Sequence, residues 1–263
     1  MKRIHLFELE DFPWFPAWLR QDMTLFLVAF HRLTQTSQHL APLLARLCRM
    51  TGMHQIVDLC SGGTGPMVDV FDRLRSTEGL GSVRLTFTDL YPNKIAAENI
   101  RKLGKEGLTY RLEPVDATHV PADLKGVRTM VASFHHMSVP NARKILEDAW
   151  KQRQPICTFE PGNNPAPVWL MWVAFPFVFL LAVVLAPFLR PLSARILFFT
   201  YVIPLLPLCI AWDGMVSGSR IYNTADLKEL TASYQSPDYQ WEMGEIPGRG
   251  GRMQYLLGIP QNV

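Results

Sequence analysis

From His54 onward, short apolar runs ending in or near an acid alternate with stretches of helical period, and few folds accommodate that pattern. "HQIVDLC" breaks into the glycine-rich "SGGTGP" and then "MVDVFDRLRS", which predicts strand, tight turn and helix. "VRLTFTDL" and "NKIAAENIRKLGKEG" repeat the unit. "LTYRLEPVDA" is predicted as a third strand, "VRTMVASFHHM" as a fourth, "NARKILEDAWKQR" as a helix and "PICTFEP" as a fifth strand. Such alternation predicts an open parallel sheet with helices on both faces, binding ligands at the carboxyl ends of its strands. After the helix "NTADLKELTASY", capped by Asn223 or Thr224, the strands "YQWEMGEI" and "RMQYLLGI" are joined by "PGRGG" into an antiparallel hairpin.

Upstream, "LRQDMTLFLVAFHRL" and "SQHLAPLLARLCRM" read as N-terminal helices, preceded by "FPWFPAW", which is read as an aromatic core segment, a cover over the ligand or a lipid contact. Two uncharged apolar runs interrupt the soluble pattern after the fifth strand: "VWLMWVAFPFVFLLAVVLA" (168–186) and "ILFFTYVIPLLPLCIAW" (196–212), with Arg190 and Arg195 in the link. The first matches the thickness of a bilayer's hydrocarbon core and the second falls a little short. Pro176, Pro187, Pro191, Pro204 and Pro207 predict bent helices. Membrane association through residues 167–212 is expected, by two spans or a hairpin in one leaflet; the rival is an apolar arm buried in a dimer. The positive-inside tendency disfavours placing Arg190 and Arg195 beyond a full span. The expected division is 1–50 as a helical segment, 51–162 with 213–263 as the sheet domain, and 163–212 as the insertion.

A net charge of +3, from 26 basic and 23 acidic residues spread along the chain, speaks against a nucleic-acid partner. Cys48, Cys60, Cys157 and Cys209 form no Cys-x-x-Cys pair, so neither a metal site nor a disulfide framework is expected and a reducing compartment follows. His5, His31, His39, His54 and His119 show no ligand spacing. "MKRIHLFELEDF" has acids where a secretion signal needs an apolar core, so the sheet domain is expected on the cytoplasmic side of the cell membrane.

The chemistry gathers at the strand ends. In "VDLCSGGTGP", Gly62, Gly63 and Gly65 let backbone approach a ligand. Asp89, ending the second strand, suits the two hydroxyls of a ribose, and Asp116 in "PVDA" suits an adenine amino group. In this order the motifs resemble those of the class I S-adenosylmethionine-dependent methyltransferase family: "VDLCSGGTGP" its first, "LTFTDL" its second, "PVDA" its third and "VASFHHM" its fourth. The resemblance covers about residues 51–162 and 213–263. It implies an α/β, Rossmann-like sheet of seven strands, mostly parallel with the last reversed, to which this chain adds N-terminal helices and an inserted apolar helical hairpin.

It also implies S-adenosylmethionine as cofactor. Asp58 would orient the methionine amino group through the loop, Gly62, Gly63 and Gly65 would border the cofactor, and Asp89 with Leu90 would hold the ribose. Asp116 and Ala117 would meet the adenine, with Ser133 also near the cofactor. Family members carry glycine where this chain has Cys60, so the loop path is expected to shift there.

Methyl transfer mostly requires positioning, and a base only where the acceptor must lose a proton. His135 or His136 is the candidate base, at most one facing the pocket if the fourth strand persists through both, and Glu160 in "FEPG" is a second substrate contact. Asp213, Arg220 and Tyr222 in "WDGMVSGSRIY" are placed at the pocket entrance or in a linker. The expected activity is methyl transfer to a lipophilic small molecule or lipid at the membrane. The alternatives are a non-catalytic membrane-bound sensor or assembly protein that binds the same cofactor, and an NAD(P)-dependent oxidoreductase. The oxidoreductase lacks its Tyr-x-x-x-Lys pair here, since "YPNK" has the wrong spacing.

Overall fold

The computed structural model of the chain describes residues 3–163, 172–249 and 251–261. Five strands run parallel: β1 (Gln55–Asp58), β2 (Arg84–Phe87), β3 (Leu108–Tyr110), β4 (Val127–Val131) and β5 (Ile156–Glu160). β6 (Tyr239–Gly248) and β7 (Gly251–Pro260) close the sheet in the order β3-β2-β1-β4-β5-β7-β6, with β7 antiparallel to both β5 and β6.

Strand alternation divides the apolar residues between two cores. Ile56, Val127, Cys157, Phe159 and Leu257 face α2 (Thr36–Thr51) and α3 (Met67–Ser76). Val57, Met130, Ile156 and Leu256 face α5 (Val139–Lys151) and the helix that precedes β6. The charged residue inside β4, Arg128, is buried but answered by Asp148 of α5 at 2.7 Å and by Gln152, just past its end, at 3.0 Å. α4 (Lys94–Leu103) begins where Asn93 accepts hydrogen bonds from the amides of Ile95 and Ala96.

A third core joins the N-terminus to the apolar insertion. Phe15 and Leu19, Met23 and Phe26 of α1 (Ala17–Leu33) pack against Ala182, Ala186, Ile196, Leu206 and Ile210. These belong to or flank α6 (Phe175–Leu185), α7 (Ala194–Tyr201) and α8 (Leu205–Arg220). Among the described residues no single helix is long and apolar enough to cross a membrane; α7 and α8 reach that length only together, across a 76° bend. Pro204 lies at the bend, where it cannot donate to the previous turn. Residues 168–171 of the first run lie outside the described residues.

Three expectations change in detail. β3 stops at Tyr110, so Asp116 lies in the loop beyond it rather than at a strand end. β4 stops at Val131: Ala132 has a left-handed φ of 52°, and His135 and His136 sit on a 3-10 turn, Phe134–His136, where strand alternation does not apply. The second apolar run is two helices, and α8 continues through Asp213 to Arg220, so the expected boundary at 212 falls inside a helix. The capping box of Asn223 and Asp226 opens α9 (Thr224–Thr231) as read from the sequence.

Candidate functional site

The carboxyl edge of β1, β2 and β3 is organised by acids. Asp58, buried at the end of β1, accepts from Ser61 Oγ at 2.7 Å and from Thr129 Oγ1. Burial pushes its carboxyl up to about 7, against those two hydrogen bonds, which favour the ionised form. Asp89 Oδ2 accepts from the Gly62 amide and Oδ1 from the Tyr91 amide, both at 2.8 Å, so one carboxylate fastens the glycine loop to the end of β2. Each oxygen retains further acceptor capacity. The Val115 amide donates to the Asp89 carbonyl at 2.9 Å, drawing the "PVDA" loop alongside. Asp116 accepts from the Thr118 amide and hydroxyl, both at 2.8 Å, while Ala117 is buried and Leu90 is exposed.

Gly62 and Gly65 each have φ of +48°, and a Cβ on either would meet nothing within 4 Å, which leaves open space over the loop. Cys60, with φ of 55°, adopts the left-handed conformation without being glycine, a strained position in the loop. Burial and the neighbouring acids push its thiol up to about 12, which leaves it a poor nucleophile. Gly63 is different: a Cβ there would stand 2.4 Å from Thr24 Cγ2, so α1 leans directly on the loop.

At the ends of β4 and β5 a second set of polar groups is almost wholly buried. Glu160, the last residue of β5, accepts from the His135 amide at 3.1 Å and holds His135 Nδ1 at 2.8 Å. His136 Nδ1 lies 3.2 Å from Asp11 Oδ1. The two imidazole centroids are 4.3 Å apart, so both rings enter one cluster. Its remaining members come from the N-terminus and α8. Arg220 donates to Glu8 Oε1 at 2.9 Å and Asp11 Oδ2 at 2.8 Å, and Arg3 donates to the carbonyls of His135 and Met137. Asp213 accepts from the amides of Leu9 and Glu10.

Burial pushes the Glu8 carboxyl up to about 7 despite His136 and Arg220. Asp11, although partly buried, is held well below the usual carboxylate range by hydrogen bonds from the same two residues. Buried atoms without a hydrogen-bond partner among the described residues gather here: Glu8 Oε2, His135 Nε2 and Ser133 Oγ. Both side-chain polar atoms of Gln254, which faces Glu160 across β7, are also unpartnered.

Asp58, Gly62, Gly63, Gly65, Asp89, Leu90, Asp116 and Ala117 lie at or beyond the carboxyl ends of β1, β2 and β3, whereas Ser133 precedes the turn that carries His135 and His136, which meet Glu160 at the neighbouring strand ends. Asp213, Arg220 and Tyr222 are buried and bonded to the N-terminal segment rather than lining an open entrance. Sequence reasoning missed Glu8 and Asp11. Their signal was the set of acids in "FELEDF", flanked by aromatics and apolar residues, among which Glu8 is buried and Asp11 remains partly exposed.

No family model matches the chain, and no curated protein matches it. Solved structures resemble it. The S-adenosylmethionine-dependent methyltransferase SibL, in its apo form, superposes with a TM-score of 0.54 over 97% of this chain and 61% of its own, at 14% identity. The plantazolicin methyltransferase BpumL, in complex with SAH, gives 0.51 over 91% and 85%, at 10% identity. NcsB1, an O-methyltransferase from neocarzinostatin biosynthesis in complex with S-adenosylmethionine and 2-hydroxy-5-methyl naphthoic acid, gives 0.51 over 90% and 56%, at 12% identity. This chain thus spans 61% of the length of SibL and 56% of that of NcsB1. At such identities the likeness is one of backbone architecture, and together with the strand order it establishes that the chain has the class I methyltransferase fold.

Proposed function

We propose that this protein is an S-adenosylmethionine-dependent methyltransferase acting on a lipophilic acceptor at a membrane surface. The observation that carries the cofactor assignment is the Asp89 carboxylate, which anchors the glycine loop and retains acceptor capacity for a ribose. The open space beside Gly62 and Gly65, with Asp116 drawn next to Asp89, fits the adenosine portion. When bound, the cofactor supplies a sulfonium methyl that passes to the acceptor atom, leaving S-adenosylhomocysteine and, from a protic acceptor, a proton. His135, His136 and Glu160 would meet the acceptor, with Glu160 fixing Nδ1 of His135 as a donor so that Nε2 carries the lone pair. A nicotinamide enzyme is disfavoured, because the dinucleotide-binding order continues with a parallel strand where β7 is antiparallel.

Cofactor binding should be linked to Asp58. Its carboxyl is raised to about 7, so it is largely protonated below that value, and an ammonium brought to the loop favours the ionised form. Binding below pH 7 then releases a proton, and affinity falls as pH drops, by up to about tenfold per unit. Asp58→Asn flattens the profile. Calorimetry in two buffers of different ionisation enthalpy reads the proton directly, and equal heats below pH 7 would refute the linkage.

The membrane reading rests on the outer face of the insertion. Phe177, Leu180, Val184 and Phe188 recur at near-helical spacing and remain 56–68% exposed, and Val202, Ile203 and Leu208 extend the patch. An apolar face of this kind suits a lipid interface. Arg195, in the link that two spans would carry to the far side, instead makes a two-bonded pair with Asp22 of α1 at 2.8 and 2.9 Å. Since α1 also touches the Gly63 loop, shallow insertion fits better than spanning. The free cysteines agree with a cytoplasmic face of the cell membrane.

The test combines vesicle flotation with transfer of labelled methyl to a membrane lipid extract. Wild-type protein should float with vesicles and label a lipid-soluble product. Phe177→Asp combined with Val184→Asp should bind vesicles about a hundredfold more weakly, since two buried apolar side chains are lost, while still binding the cofactor. Unchanged flotation would remove the membrane assignment. Cofactor binding with no labelled product would favour the non-catalytic sensor.

A further inference from the structure

We infer that Glu8, His135 and His136 form a binding site for a divalent transition metal of the zinc type, at the end of β4. The ligand atoms these three residues offer all lie within 4.8 Å of one another. His135 Nε2 is 3.9 Å from Glu8 Oε1, and His136 Nε2 is 3.6 Å from Glu8 Oε2. Two ligands on a tetrahedral zinc, each about 2.0–2.1 Å from the ion, are about 3.3 Å apart, so His136 Nε2 and Glu8 Oε2 already stand near that separation and His135 Nε2 must close on them.

The outer hydrogen bonds are those that metal-binding histidines use. Each imidazole turns its Nδ1 toward a carboxylate, His135 to Glu160 and His136 to Asp11, which leaves both Nε2 atoms toward Glu8. At His135 that arrangement fixes the tautomer and makes the inner nitrogen more basic, while His136 Nδ1 also lies 3.4 Å from Arg220 Nη1. Two inner atoms of buried residues, Glu8 Oε2 and His135 Nε2, have no hydrogen-bond partner among the described residues, although Glu8 is 1% and His135 4% exposed. Both atoms are on the inner side of the cluster, where an ion held by the three residues would satisfy them.

Charge agrees as well. Glu8, Asp11 and Glu160 bring three carboxylates against the guanidiniums of Arg220 and Arg3, and Glu10 and Asp213 lie close by. The excess is negative, and Arg220 occupies Glu8 Oε1 while leaving Oε2 for the ion. Two histidines and one glutamate are a donor set that catalytic zinc sites use with a further position open. If the methyltransferase reading holds, that position faces the acceptor side, where the ion would polarise a protic head group and favour loss of its proton. Metal binding itself does not depend on that reading.

Chelator-treated protein is dialysed against zinc at micromolar concentration, and bound metal is measured by mass spectrometry. One equivalent is expected. Cobalt substituted at the site should give the intense visible bands of a low-coordinate centre. Glu8→Gln and His136→Gln should each weaken zinc binding at least tenfold, with His39→Gln as the control and circular dichroism confirming the fold. No bound metal in the wild type, or equal binding in the Glu8 and His136 variants, overturns the site. Calorimetry with S-adenosylmethionine on metal-free protein separates the two readings. Protein that binds the cofactor in calorimetry but takes up no zinc in dialysis overturns the metal site alone; protein that takes up zinc but binds no cofactor supports the site and overturns the methyltransferase.

Discussion

Asp89→Ala protein binds S-adenosylmethionine at least about a hundredfold more weakly than wild type, the equivalent of two lost charge-assisted hydrogen bonds. In the free protein the carboxylate holds the amides of Gly62 and Tyr91, so alanine also releases the loop from the end of β2. The expected loss of stability is smaller, about 1–2 kcal/mol, because Asp89 is only half-buried and its freed amides can reach water. Asp89→Asn keeps one acceptor oxygen and the side chain's shape, and should fall between the two, near tenfold weaker. Calorimetry on the three proteins, each checked for its melting temperature, separates ligand contact from loop support. Wild-type affinity in the alanine variant would sink the cofactor assignment.

The geometry of the proposed cofactor half of the site was legible because it is local. A glycine loop follows its strand directly, and acids near the ends of β1, β2 and β3 meet because parallel strands share one carboxyl edge. The acceptor half was only partly legible. His135 and His136 were visible, but alternation along an extended β4 misled, since Ala132 takes a left-handed φ and starts a 3-10 turn that sends both rings the same way. Glu8 and Asp11 reach those rings from the opposite end of the chain, and nothing in local spacing announces such a contact.

The apolar insertion shows another limit. Composition left its runs open to spanning a membrane, entering one leaflet or packing in a dimer, and the Arg195–Asp22 pair and the shared core with α1 fold its inner side onto the protein. Its outer side keeps the exposed apolar face. One element therefore has two jobs, since α1, gripped by the insertion, also rests on Gly63 of the cofactor loop. A substitution at the exposed apolar side can be neutral for folding, whereas one at Phe26 or Ile210 would loosen the support beneath the loop.

Arg220→Met should cost about 3–5 kcal/mol and lower the melting temperature by about 10 °C. Arg220 is 2% exposed and binds Glu8, Asp11 and the Leu6 carbonyl, so removing it strands the Glu8 carboxylate in a site where burial already disfavours charge. The segment it holds, residues 3–12, is also tied by Arg3 to the carbonyls of His135 and Met137, by Asp213 to the amides of Leu9 and Glu10 and by Trp212 to the Phe7 carbonyl. Hydrogen exchange at Leu9 and Glu10 should therefore quicken in the variant. If the penalty comes from an uncompensated charge, Glu8→Leu placed on Arg220→Met recovers much of the stability, because a buried pair replaced by apolar groups can be close to neutral. If it comes from lost contacts, the second substitution adds to the first. A melting temperature unchanged by Arg220→Met would show that the N-terminal segment is not fastened through this arginine, and that the cover over His135 and His136 depends on the aromatic packing of Phe7, Phe12 and Trp212 instead.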